Sequence, residues 1–474
     1  MTPDSPITTR RWPPQIKFIV GNEACERFSY YGMRSILAGY ITGAVVKGGL
    51  GRTDDSATEI IHLFVFANYF MPLFGAWLSD KLIGRYHTIL WVSLFYCAGH
   101  GVLACSDFAG GVHGKLLMLA TGLALIAFGS GGIKPCVSAF MGDQFKPEQS
   151  HLLQKAYGAF YWAINLGSFF SFLVIPWIKD HHGYSLAFLV PGILMAIATF
   201  IFWLGTRHYV RVPPSRETKI AGFFRVFFAA LSGKRTAGQG FWDGARGQFS
   251  EKEIDAAKSV GPILFVFALI PIFFSLFDQT NSTWVLQGEK MVPTTILGLD
   301  IGAEQMQSMN PLIVMILVPL FTLGIYPRIG RFASPLRRMS YGMFLAAVSY
   351  LVVAALQRQI EGGAQLSVLW QTVPYVILTA AEVLVSTTGL EFAFREAAPE
   401  MKSIVMSFWL LTIAFGDLLV VAVTKLFASG GDQAASVSTG RFLLYAGMTF
   451  VVAILFSVVA AFYKYRDAAA ARGK

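Results

Sequence analysis

The chain has 474 residues, of which 54% are hydrophobic and only 14% are charged. Soluble domains carry roughly a quarter charged residues, so this composition excludes a soluble protein. The excess of 38 Lys and Arg over 28 Asp and Glu does not indicate nucleic-acid binding, because the basic residues lie in alternate polar breaks rather than on one face.

Apolar runs recur along nearly the whole chain. A helix needs about 20 apolar residues to cross a hydrocarbon core of roughly 30 Å, and no removable signal peptide is expected before the first run. The pattern predicts an all-α membrane protein with twelve transmembrane helices. The predicted spans are 16–46, 58–80, 87–105, 115–141, 153–178, 184–205, 259–287, 305–327, 335–357, 368–394, 402–428 and 438–464.

The positions of the basic residues predict the orientation. Connections after even-numbered spans carry basic residues, such as Lys81 and Arg85, whereas connections after odd-numbered spans are short and contain few. Basic residues are enriched on the cytoplasmic side of membrane proteins. The N-terminal segment 1–15 and the tail 466–474 are therefore both predicted to be cytoplasmic.

A long polar segment, 206–258, divides the chain into two bundles of six spans, 16–205 and 259–465. Two such halves joined by a linker are typical of transporters that rock around a central site. Within the linker, Ile220–Leu231 is apolar but too short to cross a membrane. Together with its Arg225, this favours an amphipathic helix on the inner membrane surface.

The first span contains charged residues that lipid would not tolerate. Glu23, Glu26, Arg27 and Arg34 would each cost about 2.5–3.5 kcal/mol at the centre of a lipid-facing helix. At 100° per residue, these four and Tyr30 fall within an arc of about 100°. The helix is therefore predicted to turn one polar stripe toward the bundle interior. Glu23 and Arg27 could form a purely structural ion pair, but so rich a stripe favours an ion or substrate pathway.

Isolated ionisable residues occur in other spans: Lys134 in the fourth, Asp278 in the seventh, Glu382 in the tenth and His62 near the start of the second. Lys134 requires an anionic partner, and the two glutamates of the first span are the available carboxylates in the first bundle. This predicts a charge-balanced cluster that can act as a proton switch. His62 fits a satisfied interface histidine and a protonation role equally well.

Glu382 has no basic residue in its own span. An unpaired carboxylate in one half and a surplus arginine in the other could hold a zwitterion, with its amine at Glu382 and its carboxylate at Arg34 or Lys134. Alternatively, Glu382 stays protonated and packs as an uncharged side chain within the protein. Polar side chains on other spans suit a backbone-like ligand or ordinary interhelical hydrogen bonds. They include Tyr30, Tyr31, Tyr69, Tyr161, Asn165 and Asn310.

Two local motifs concern helix ends and helix packing. The group Asp80, Gly84 and Arg85 predicts a latch at the inner ends of the second and third spans. The small residue permits close helix approach, and the two charges keep the inner side of the protein closed. The run Gly129–Pro135 lacks the Lys-Ser/Thr ending of a phosphate-binding loop. It predicts close helix packing and a bend at Pro135 that reorients Lys134.

Several separated stretches resemble the proton-dependent oligopeptide transporter family of the major facilitator superfamily. Glu23–Gly32 matches the family motif E-x-x-E-R-F-x-Y-Y-G, and further similar stretches are Phe128–Phe145, Phe160–Ser171, Gly389–Phe392 and Phe408–Leu411. The resemblance implies the superfamily fold and a symporter that imports di- and tripeptides with protons by alternating access.

The resemblance also implies residue roles. Proton coupling is assigned to Glu23, Glu26, Arg27 and Lys134, with His62 and Asp278 as further candidates, and the peptide carboxylate to Arg34 and Lys134. Glu382 would receive the peptide amine, with Ser386 and Trp409 nearby. The implied cavity lining is completed by Tyr30, Tyr31, Tyr69, Tyr161, Asn165 and Asn310.

The chain departs from the family pattern in three respects. The linker is too polar for the two extra spans of many bacterial members, and the large extracellular insert of animal members is absent between the ninth and tenth spans. Asp278 and Phe274 stand where Glu and Trp are common, which leaves open the reach of the salt bridge at Asp278 and the side-chain preference of the pocket.

Other functions remain as alternatives. A symporter of the same superfamily for nitrate, another small substrate or a peptide-like drug is the nearest. An enzyme or a sensor is disfavoured, since no zinc motif or Ser/His/Asp set lies at membrane depth and the termini are short. Cys25, Cys97, Cys105 and Cys136 are expected to be free thiols. We expect a monomer in the plasma or inner membrane, with protons as coupling ion and no metal, other cofactor or nucleic-acid partner.

Overall fold

The computed structural model describes residues 12–214, 222–234, 240–329, 334–428 and 435–465. Most of the predicted N-terminal segment, the tail 466–474 and the first two residues of the predicted amphipathic helix, Ile220 and Ala221, lie outside these ranges. The described residues are mostly helical. They include one antiparallel hairpin, in which β1 (Thr294–Ile296) pairs with β2 (Leu299–Ile301).

The N-terminal half contains seven α-helices, the first two of which lie within the predicted span 16–46. They are α1 (Ile16–Ser35), α2 (Leu37–Thr42), α3 (Asp54–Trp77), α4 (Gly84–Ala104), α5 (Gly111–Asp143), α6 (Ser150–His182) and α7 (Tyr184–Leu204). A π-helical turn, Leu78–Ile83, joins α3 to α4. Gly84 follows this turn with φ 78°, a left-handed backbone that favours glycine.

Among the described residues, the linker contains two short α-helices and the C-terminal half contains ten. The linker helices are α8 (Phe223–Ser232) and α9 (Glu251–Lys258). Those of the C-terminal half are α10 (Val260–Phe267), α11 (Pro271–Phe277), α12 (Thr283–Gly288), α13 (Met309–Pro319), α14 (Tyr326–Ile329), α15 (Pro335–Glu361), α16 (Thr372–Glu382), α17 (Thr388–Glu396), α18 (Lys402–Phe427) and α19 (Thr439–Phe462).

Nine described helical stretches are long and apolar enough to cross a membrane, or ten if the pair Glu251–Phe267 and Pro271–Asn281, bent by 46°, is one span. One of the nine, Asp54–Ala104, has 51 residues, which is about twice the length that a bilayer requires. The first helix, with its charged stripe, is not among them. A helical chain with many membrane-length segments is therefore confirmed, and the number twelve stays a prediction.

The outward-facing side chains are largely apolar. Leu323 is 80% exposed, Phe265 is 65% exposed and Trp91 is 56% exposed. A water-soluble monomer rarely leaves so much apolar surface uncovered, whereas lipid is the expected neighbour of such faces. The polar residues of the predicted stripe, in contrast, lie inside: Glu23, Glu26, Arg27 and Arg34 are all buried. The predicted direction of the stripe is therefore confirmed.

The two halves meet along a few helices. In the N-terminal half α1 packs against α6 and α7, and α5 packs against α3 and α4; in the C-terminal half α15 packs against α16 and α19. Contacts of α3 with α18 and of α6 with α13 join the halves. We call the side on which α1 begins and α19 ends the terminal side, and the opposite side the distal side.

The linker helix α8 packs on the C-terminal half. The Phe223 ring lies 5.7 Å and the Phe224 ring 5.9 Å from that of Phe408, at the start of α18. The predicted amphipathic helix is therefore present over Phe223–Ser232. Its outer side chains, including Phe228 at 59% exposed, suit the membrane surface that the sequence predicts.

The glycine run of α5 permits close helix packing, as predicted. A Cβ atom added to Gly129 would lie 2.5 Å from Cβ of Tyr96 on α4, and one added to Gly131 would lie 2.7 Å from the backbone oxygen of Asn68 on α3. Real Cβ atoms do not approach other atoms so closely. The backbone of α5 therefore contacts both neighbours through these glycines.

We predict that Gly131→Ala lowers the apparent melting temperature of the detergent-purified protein. The added methyl group overpacks the contact with α3, at a cost of about 1–3 kcal/mol. Gly101→Ala on α4 is the matched control, because nothing lies within 4 Å of its added Cβ, and alanine is the better helix former. Equal melting temperatures for the two variants would contradict the packing role.

Candidate functional site

A cavity of about 350 Å³ lies between the two halves. Ten of the predicted site residues line it: Tyr31, Arg34, Tyr69, Tyr161, Asn165, Asp278, Asn310, Glu382, Ser386 and Trp409. A volume of a few hundred Å³ suits a small organic ligand. The lining also includes residues that the sequence did not single out, among them Asn281, Gln307 and Tyr375.

The distal end of the cavity is closed by an ion pair between the halves. Arg34 at the end of α1 donates from Nη2 to Oδ1 of Asp278, at 2.8 Å, and both side chains are buried. Asp278 begins a short 3₁₀ turn after α11, and its shorter side chain does reach the arginine. The hypothesis of a surplus arginine is therefore wrong for this conformation, because Asp278 already neutralises Arg34.

Glu382 lies on the opposite wall, at the end of α16. Its Oε2 accepts a hydrogen bond of 2.7 Å from Nδ2 of Asn310, and among the described residues no ion pair to Glu382 is present. A π-helical turn, Val383–Thr387, follows directly and carries Ser386 to the cavity. The carboxyl group is thus positioned by an uncharged amide and has no cation of this protein paired with it among the described residues.

Aromatic rings form the remaining wall near Glu382. The ring of Trp409 lies 5.8 Å from that of Phe274 and 5.4 Å from that of Phe267, in edge-on arrangements. Phe274, one of the departures from the family pattern, therefore supports Trp409 as well as lining the cavity. Such pairs fix ring orientation and contribute modestly beyond their buried area.

The charged stripe of α1 forms an ion-pair cluster beside the cavity. Nε of Arg27 lies 2.9 Å from Oε1 of Glu23, and it also pairs with Glu26. Ser130 on α5 contacts Oε1 of Glu26 at 3.5 Å. The two glutamates are therefore held by a base on their own helix, with α5 packed alongside.

Lys134 does not pair with these glutamates, which corrects the sequence-based prediction. Its Nζ lies 4.0 Å from the ring centroid of Tyr69 and 4.9 Å from that of Tyr30, and it has no hydrogen-bond partner among the described residues. Arg27 occupies the carboxylates because it is on the same helix, and the ring faces supply a cation–π contact for the lysine instead. Since Tyr69 lines the cavity, the ammonium group lies directly behind that wall.

His62 forms a second polar contact between the halves. Its Nδ1 lies 2.6 Å from Oδ1 of Asp417 on α18, and its Nε2 lies 2.8 Å from Oγ of Ser282. All three residues are fully buried. Asp417 was not predicted from the sequence, although a lone acid in an apolar span is the same signal that identified Glu382.

Three further ion pairs connect the halves on the distal side. They join Lys179 to Glu304 at 2.6 Å, Lys290 to Asp54 at 2.9 Å and Lys425 to Glu59 at 2.9 Å. None of these pairs was predicted. Together with Arg34–Asp278 and His62–Asp417, they close the distal side of the molecule.

The predicted latch on the terminal side lies within one half. Nη1 of Arg85 contacts both carboxylate oxygens of Asp143, at 2.8 and 2.7 Å, whereas Nη2 lies 3.6 Å from Asp80. Asp143, which ends α5, is thus the closer partner and was not predicted. The group connects the ends of three helices of the N-terminal half, and its gating role stays a prediction.

In the part of the chain that the structure describes, no group of three or more His, Cys, Asp or Glu is arranged to hold a metal ion. The four cysteines are free thiols.

Residues 86–439 match the model of the POT family. The chain belongs to this family. This POT-family chain is 39% identical over 74% of its length to Peptide transporter family 1 of Drosophila melanogaster, covering 49% of that protein. It is 36% identical over 82% of its length to solute carrier family 15 member 2 of Homo sapiens, covering 55% of it. The chain thus spans about half the length of these curated relatives.

The fold agrees with that of solved POT-family structures. An auto-inhibited POT family peptide transporter superposes with a TM-score of 0.86 at 38% identity, over 95% of this chain and 98% of that chain. A second, solved in meso, gives 0.86 at 37% identity over the same shares. These relatives are named as transporters, as the sequence-based prediction expects.

We predict that Asp278→Asn lowers the apparent melting temperature of this POT-family protein far more than Glu59→Gln. Removing one partner of a buried ion pair leaves an uncompensated charge and costs about 3 kcal/mol or more. The Glu59–Lys425 pair also joins the halves, but its side chains are 35% and 62% exposed, and such pairs contribute about 0–1 kcal/mol. Similar losses in both variants would show that Arg34–Asp278 does not hold the distal side.

Proposed function

We propose that this chain is a symporter that imports di- and tripeptides together with protons by alternating access. The supporting observation is the placement of opposite charges on the two halves, with Glu382 on one wall of the cavity and Arg34 on the other. A short peptide is a zwitterion with the complementary pair of charges. Because each end binds a different half, bound peptide would draw the halves together.

The peptide amine would bind Glu382, which is held by Asn310 and would be charged when it pairs with the ammonium group. The peptide carboxylate would bind Arg34, with Lys134 behind the Tyr69 ring as a second cation. A small inorganic anion such as nitrate would use the same cations but would leave Glu382 without a counterion in the cavity. Glu382 therefore favours a zwitterion over nitrate.

The coupling follows from the competition for Arg34. While Asp278 is charged, it occupies the guanidinium group and closes the distal side. A proton on Asp278 removes that charge and frees Arg34 for the peptide carboxylate, so proton and peptide act on the same pair. In the ion-pair cluster of α1, a proton on Glu23 or Glu26 would weaken the ion pair with Arg27. The loss of that negative charge would also change the electrostatic environment of the nearby Lys134.

The proposed orientation puts the terminal side in the cytoplasm. Arg85 and Lys81 lie at the terminal end of α3 and α4, and basic residues are retained on that side. The structure, closed distally, then represents an inward-facing state. We further propose that the protein acts as a monomer in the plasma or inner membrane, because one chain supplies the whole cavity.

Purified protein in liposomes should accumulate labelled di-alanine when the exterior is acidic and the interior negative. One proton per peptide at 100 mV supplies about 2.3 kcal/mol, which corresponds to a roughly 40-fold gradient. Glu26→Gln, which removes a proton acceptor of the Arg27 cluster, should abolish accumulation while peptide exchange without a gradient continues. Accumulation that ignores the pH gradient would reject proton coupling.

Glu382→Gln should weaken binding of free-amine dipeptides about 10- to 100-fold, because a hydrogen bond to a charged group is worth about 1.5–3 kcal/mol. N-acetylated dipeptide serves as a chemical control, since it lacks the ammonium group and should bind wild type and variant almost equally. Competition against labelled substrate measures both. An equal loss for free and acetylated peptides would remove the amine-binding role.

A further inference from the structure

Two carboxylates of the connection between α12 and α13 meet on the distal side. A Cβ atom placed on Gly39 of α2 would lie 2.6 Å from Oε1 of Glu304 and 3.1 Å from Oε1 of Glu289. The two oxygens therefore lie within about 6 Å of each other, close enough for each charge to affect the protonation of the other. Gly39, which belongs to the N-terminal half, leaves the space that these two side chains of the C-terminal half border.

Glu304 has one satisfied and one unsatisfied oxygen. Its Oε2 accepts a hydrogen bond of 2.6 Å from Nζ of Lys179. Its Oε1 is buried and has no hydrogen-bond partner among the described residues, and the residue as a whole is 3% exposed. A buried carboxylate oxygen without a hydrogen-bond donor costs free energy. A donor to this oxygen would remove that cost, and the described side chains do not provide one.

The charges around this point are unbalanced. Among the described residues, the facing groups are Lys179 and Asp180 on α6, Tyr184 on α7, Asp54 on α3, and Lys290 beside Glu289. Lys290 and Asp54 neutralise each other at 2.9 Å. Lys179 is then the remaining cation for three carboxylates, since it also lies 3.1 Å from Asp180.

We propose that Glu289 and Glu304 share one proton when the distal side is closed, with the Glu289 hydroxyl donating to the free Oε1 of Glu304. The proton comes from the water on the distal side. The residue Glu289 as a whole is exposed to this water, although protein surrounds most of its carboxyl group. The shared proton supplies the missing donor and removes one negative charge. Acid on the distal side therefore favours closure.

The protonation behaviour of both groups supports this geometry. Enclosure of the carboxyl group by surrounding protein, together with the charge of Glu304, raises the pKa of Glu289 to about 7. Burial raises the pKa of Glu304, although Lys179 opposes the change. When the distal side opens, the carboxyl groups separate and return toward the ordinary pKa of about 4.3. The closed state thus binds more protons, and a fall in pH favours it.

The shared proton adds a proton acceptor to the proposed transport function. It rests on that function only in one respect, which is that the distal side faces the exterior. The shared proton is tested by measuring the distance between the two halves on the distal side, not by measuring transport. Spin labels at His113→Cys on α5 and Gln359→Cys on α15, both exposed helical positions, report that distance in purified protein whose native cysteines are replaced.

The proposed proton on Asp278 acts in every variant alike, so the effect of the carboxyl pair is the difference between variants. This effect on the closed-to-open ratio should be constant above pH 7. Below pH 7 it should rise by up to about tenfold per pH unit until the open state is itself protonated. Glu289→Gln carries a permanent donor in place of the proton, so it should already favour the closed state at pH 8 and lose most of this pH dependence. Asp300→Asn, in the same connection but hydrogen-bonded within the hairpin to Thr295, should behave like the parent protein.

The outcomes separate the two proposals. An unchanged pH dependence in Glu289→Gln overturns the shared proton, whereas loss of the dependence in Glu289→Gln and not in Asp300→Asn supports it. Infrared spectra across the same pH range provide a second measurement, since the band of a protonated carboxyl group should diminish in Glu289→Gln. Failure of peptide uptake with pH-dependent closure intact would reject the transport proposal alone.

Discussion

The buried ion pair between Arg34 and Asp278 is the interaction on which the rest of the arrangement depends. Each residue belongs to a different half, and in an apolar surrounding neither charge can be left alone cheaply. The halves therefore stay together at this point while both groups are charged. The neighbouring contact of His62 with Asp417 follows the same logic. The cavity has a polar closed end because these groups meet there.

The sequence could predict the direction of the α1 stripe because helix geometry fixes it. Residues at 100° intervals share a face whatever surrounds the helix, and lipid excludes the charged face from the surface. Glu23 and Arg27 were therefore placed correctly from spacing alone. Partners between helices are different, because they depend on which side chains compete. The sequence showed that the charge of Lys134 needed a compensating partner. It did not show that tyrosine rings would be that partner while the two glutamates pair with Arg27.

The residues that close the distal side were the hardest to predict. Glu304 and Lys179 lie near helix ends, where polar residues are ordinary, and nothing local marks their pairing across the molecule. Asp417 carried a usable signal and was overlooked. The positions of Ser386 and Trp409 in the cavity followed from family resemblance rather than from spacing, whereas Glu382 stood out as a lone acid in an apolar span. A π-helical turn directly after Glu382 illustrates why, since it shifts the helix face in a way that regular periodicity cannot anticipate.

The attachment of the linker limits how far the two halves can move apart on the terminal side. Val210 exchanges hydrogen bonds of 2.9 and 3.1 Å with Gln144 of the N-terminal half, and Phe223 is fixed to Phe408 of the other half. Eight residues, 215–222, separate Pro214, which lies near Gly84, from Phe223. A chain of that length reaches at most about 28 Å. Shortening it would restrict the amplitude of the transport cycle without touching any residue of the cavity.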